Sequence, residues 1–98
     1  MLGICAFSMG ESNTWISEKL LGKTNSENEC AVLVQKLKPS ANGATWGDPN
    51  APGRSLKEAS GNKCYAQFNM TDIYNSDDFK MWRTCGFDSK IYFYFILK

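Results

Sequence analysis

Cysteines at positions 5, 30, 64 and 85 spread over most of a 98-residue chain, and no other feature constrains its fold as strongly. A chain this short buries only about two-thirds of the surface its unfolded form exposes, so an even, widely spaced cysteine set reads as a disulfide framework bracing a modest core. The intervals of 25, 34 and 21 residues contain no C-x-x-C pair, which excludes a four-cysteine zinc site on spacing. Four cysteines allow three pairings, and spacing alone selects none of them. Disulfides in turn imply export. The apolar start, Met1 to Met9, lacks a charged leader and is too short for a signal peptide. The expectation is therefore a secreted or extracellular part of a larger protein, or an incomplete gene model, with a reduced cytosolic protein holding buried thiols as the alternative.

Composition removes several function classes. Ninety-eight residues with 43% apolar content make one globular domain rather than a disordered chain. A net charge of +1 with scattered lysines gives no electrostatic bias toward nucleic acid. The chain has no histidine, so Ser-His-Asp and Cys-His catalysis and histidine zinc sites are absent, and no cofactor is expected. The run Ile91 to Leu97 is seven residues long, far short of the roughly 20 a membrane-spanning helix needs.

Local patterning predicts an α+β domain with one helix on a mostly antiparallel sheet of about five strands. Short strands are expected at 3–9 and 13–16, joined by the turn Gly10-Glu-Ser-Asn13. Ser26 followed by Glu29 forms a capping box that opens a helix over about 27–38, closed by Pro39. Cys30, Leu33, Val34 and Leu37 recur at helical spacing and define its apolar face. Further strands are expected at Ala44–Trp46, Lys63–Phe68 and Phe79–Phe87. A Gly-, Pro- and Ser-rich loop runs from 47 to 61, and a polar exposed stretch from 69 to 78.

In that order, a helix carrying Cys30, a short strand Gly43-Ala-Thr-Trp46, a variable loop, then a strand opening Lys63-Cys-Tyr65, the chain resembles the PAN/apple domain family over residues 3–87. The resemblance implies a five-stranded antiparallel sheet crossed by one helix, with Cys30 bonded to Cys64 and Cys5 to Cys85. Closing loops of these lengths stabilises by roughly 4 kcal/mol each on the chain-entropy model. The family often carries a second helical cysteine where this chain has Val34, with its partner near Asn42, Gly43 or Ala44. Both halves are absent here, as in a two-disulfide variant. Residues 88–98 have no counterpart, and the expectation for them is a tail, either an added edge strand or a non-native read-through end.

The resemblance implies a non-enzymatic extracellular module binding a protein or glycan; the alternative is a structural, self-associating module joined through the apolar 91–97 strand. Candidate ligand-binding residues are Trp82, out of phase with its apolar neighbours and so the best exposed aromatic, and Arg54, Lys57 and Lys63 around the long loop. Trp46 reads as core instead. Asn69-Met-Thr71 matches an N-glycosylation acceptor. Asp72, Asn75, Asp77 and Asp78 crowd one loop without an EF-hand spacing and read as solvated rather than as a calcium site. Glu27 and Glu29 belong to the helix start, where they complement its dipole. No carboxylate pair with acid and base roles is legible.

Overall fold

The computed structural model describes residues 5–51, 61–75 and 80–87. Five strands form one sheet: β1 (Ser8–Met9), β3 (Lys19–Lys23), β4 (Gly43–Gly47), β5 (Lys63–Gln67) and β7 (Trp82–Gly86). Their order is β1-β7-β4-β5-β3, with every neighbouring pair antiparallel. Helix α1 (Glu27–Leu37) packs across one face, and β2 (Glu11–Ser12) pairs with β6 (Ile73–Tyr74) as a separate two-stranded ladder. The α+β architecture expected from sequence is the one observed.

The helix begins as its sequence dictates. Ser26 has extended backbone and its hydroxyl accepts the amide of Glu29 at 3.1 Å, a cap worth about 1 kcal/mol. The Glu29 carboxylate reaches back one residue further than a capping box requires, accepting the Asn25 amide at 2.8 Å. The buried stripe is Cys30, Ala31 and Val34, with Leu33 on its flank; Leu37, expected on the same face, is exposed. Small side chains let α1 lie close to the sheet. The core beneath it is built from Ala31, Ala41, Ala44 and Ala66, four half-cystines, Val34, Trp46 and Phe87. Trp46 is buried as expected, its indole N–H donating to the Thr24 carbonyl at 3.2 Å.

Both disulfides run through this core. Cys30 of α1 is bonded to Cys64 of β5, and Cys5 to Cys85 of β7, with Cα–Cα distances of 5.4 and 5.7 Å. All four residues are buried, so the bridges supply volume that the alanines do not.

Two local expectations need correction, and one strand falls outside the expected set. Residues 13–16 are not a strand: a turn at Asn13 and Thr14 leads into a 3-10 helix, Trp15–Ser17, whose Trp15 is 51% exposed. The stretch after β5 is not uniformly exposed, since Met70 is 2% exposed and clasped by Asn42, which accepts its amide at 2.9 Å and donates to its carbonyl at 2.8 Å. The edge strand β3 was unforeseen; its register shifts between Leu20 and Gly22, where Gly22 adopts φ 129°. Residues 1–4, 52–60, 76–79 and 88–98, including the apolar run 91–97 and the strand and loop expected there, lie outside the described residues.

Candidate functional site

Residues directly opposite in an antiparallel ladder share a face. The registers Ala44↔Cys85, Ala44↔Ala66 and Trp46↔Cys64 therefore place the core on the helix side. Thr45↔Thr84, Thr45↔Tyr65, Gly43↔Gln67 and Gly47↔Trp82 define the other face, which no helix covers. Strand β4 is nevertheless buried along its whole length. The cover on its second side is the segment Gly10–Glu18, which acts as a strap linking β1 to β3.

The strap is held by a polar network centred on Gln67, which is fully buried. Its amide nitrogen donates to Glu18 Oε1 at 2.6 Å and to Thr45 Oγ1 at 2.9 Å, and its carbonyl oxygen accepts from Thr14 Oγ1 at 2.9 Å. Thr84 Oγ1 donates to the Gly10 carbonyl at 2.8 Å and meets the Thr45 hydroxyl, also at 2.8 Å. Thr14 donates to Gln67, so Ser12 donates to Thr14 across 2.6 Å. The hydroxyls of Ser12, Thr14, Thr45 and Thr84 are thus all engaged within the network. Gly10 makes the approach possible: at φ 136° it passes so close to the Tyr74 carbonyl that no Cβ would fit.

Two carboxyls close this network. Glu11 is 5% exposed, with Oε1 accepting the Ser12 amide at 2.7 Å, and among the described residues no ion pair reaches it or Glu18. Burial, then the nearby Glu18 charge, pushes Glu11 up to about 7. Glu18 is also raised, by burial above all, although its bond from Gln67 opposes the shift. Tyr65 is raised by burial and by both carboxylates, which places all three on one patch of the face.

Beyond the strap, Tyr65 and Trp82 meet edge to face, with ring centroids 5.6 Å apart at 73°. Their strands are separated by β4, and the contact crosses it where Gly47, opposite Trp82, has no side chain. Both rings are half-buried, so Trp82 is an anchored aromatic with one free surface rather than a fully exposed one. Lys63 lies on the same face two residues from Tyr65, opposite Lys23 of β3. Leu20, opposite Tyr65, is half exposed, and the strap's Trp15 and Ile16 are exposed. Arg54 and Lys57 lie outside the described residues. The result is an aromatic platform bordered by the half-buried Glu18 on one side and by Lys63 and Lys23 on the other.

Elsewhere, Asn69 sits exposed in a turn at φ 58°, while Thr71 of the acceptor motif receives a bond from Asn13 Nδ2 at 3.0 Å. Asp72 caps its own neighbour, Ile73, and among the described residues no group of three acidic, histidine or cysteine side chains is placed to hold a metal. A groove of about 410 Å³ lies between α1 and β3, lined by Lys23, Val32, Leu33 and Lys36 among others. No described helix is long and apolar enough to cross a membrane.

Neither a protein-family model, nor a curated protein, nor a solved structure matches the chain.

Proposed function

We propose that this domain is a non-enzymatic extracellular binding module whose ligand rests on the helix-free face of the sheet. The observation that carries the reading is the Tyr65–Trp82 pair, a rigid aromatic surface left half open beside polar groups. A sugar ring presents a flat apolar face with hydroxyls at its rim, and an aromatic platform flanked by the half-buried Glu18 carboxylate and the Lys63 ammonium complements both parts. The PAN/apple resemblance supports the same class, since that family's domains contact proteins or carbohydrates. The core disulfides support an oxidising compartment. Catalysis has little to work with: the hydroxyls around Gln67 are committed to one another, and Glu11 is shielded from solvent.

The test is a glycan array probed with the oxidised protein, followed by Trp82→Ala. Loss of the platform's larger ring is expected to weaken any glycan found by about tenfold, the equivalent of ~1.4 kcal/mol. Absence of any glycan or protein partner, or unchanged binding by Trp82→Ala, would count against this face.

A second reading is self-association, favoured by Ile16 at 82% exposure beside the half-exposed Trp15 and Leu20. Light scattering separates the two, because a strictly monomeric full-length chain removes it.

A further inference from the structure

The strap carries a group whose charge the fold does not accommodate. A carboxylate that is 5% exposed and lacks a cation is costly in any protein, and a second carboxyl beside it adds repulsion. The Ser12 amide and the Thr45 hydroxyl give Glu11 hydrogen bonds, but among the described residues no cation pairs with it. From β4 and β7 come only Thr45 and Thr84, and the Thr45 hydroxyl offsets only part of what burial costs Glu11. From β5 comes Tyr65, and from β6 Tyr74, opposite Glu11 in register, with Asp72 engaged by the Ile73 amide. Arg83 of β7 alternates to the helix side and is bonded to Asp48 at 3.0 Å. Lys19 lies across from Ala66 on that same side, and Lys63 is at the far end of β5 from Gln67.

We propose that Glu11 and Glu18 make closure of the Gly10–Glu18 strap on the sheet a pH-dependent latch, shut while the carboxyls keep their protons and loosened as they ionise. Opening lets water reach Glu11, whereas the closed strap must hold its charge in a buried site beside the half-buried Glu18. The direction follows from linkage. Glu11 holds its proton more tightly when folded, so the stability it contributes is whole below about 4.5 and is lost as pH rises through about 7. The raised Glu18 acts in the same direction. The latch does not depend on what the outer face binds.

Amide hydrogen exchange followed by NMR reads the latch directly. After correction for intrinsic base catalysis, the opening constant at Ser12 and Thr14 is expected to rise about tenfold per pH unit between roughly pH 5 and 7, then level off. Val34 in α1 should show a flatter profile. In Glu11→Gln the strap's rise should shrink to the share left to Glu18. Equal pH slopes for strap and helix would overturn the proposal. So would a side-chain carboxyl carbon of Glu11 titrating in the wild-type protein near the ordinary glutamate value, a readout that stands even if the variant does not fold.

Discussion

Replacing Cys30 and Cys64 together by alanine is expected to lower the unfolding free energy by about 4 kcal/mol, read as a shift in the urea midpoint at unchanged pH. The bridge closes a loop with a sequence separation of 34, and removing it returns that loop's freedom to the unfolded chain. The folded side also loses, because both half-cystines are fully buried between α1 and β5, where the neighbouring core residues are mostly alanine. Domains of this size are stable by only about 5–15 kcal/mol, so the loss is a large share of the whole. Dithiothreitol should destabilise the wild-type protein at least as much, since it opens the second bridge as well. A midpoint shift worth less than about 1 kcal/mol would show that the helix is held by packing alone.

Gln67→Leu is expected to cost about 3 kcal/mol while leaving α1 intact. Leucine conserves the volume but removes two donated bonds and one accepted bond, taking one partner each from Thr14, Thr45 and Glu18. Each polar group stranded in a buried site costs about 1–3 kcal/mol, with Glu18 at the low end because water still reaches it. The damage should be local: exchange protection lost at Ser12 and Thr14, retained at Val34. A variant as stable as wild type would mean that the strap closes by packing and that the Gln67 bonds are incidental.

What could be read from the sequence follows from where information is local. Helix α1 was legible because its cap and its Cys30 and Val34 spacing lie within a dozen residues. Strands β4, β5 and β7 were legible from cysteines and aromatics set between turn residues. Strand β3 was not: Lys19-Leu-Leu-Gly-Lys23 has no alternation, because it is an edge strand with a register shift at its centre. The polar face was hidden for a different reason. Glu11 beside Gly10 reads as a turn residue, and its burial depends on Gln67, which meets the strap's Thr14 across 53 residues of sequence. Trp15 reads as a strand residue on its own apolarity, whereas the turn formed by Asn13, bonded to Thr71 and Asp72, redirects the chain. The alanines of the core gave no signal either, since small residues mark close approach only when both surfaces are known.

The bond between Cys5 and Cys85 has a mechanical consequence. It joins residues separated by 80 in sequence at a Cα–Cα distance of 5.7 Å. Tension applied to the chain outside this pair passes through one covalent bridge, and the helix, the sheet and the strap between them carry none of it. Oxidised, the domain neither lengthens under load nor shields its neighbours from it. Once that bridge is reduced, the force falls first on the two-residue strand β1, and the fold is pulled open from its weakest edge.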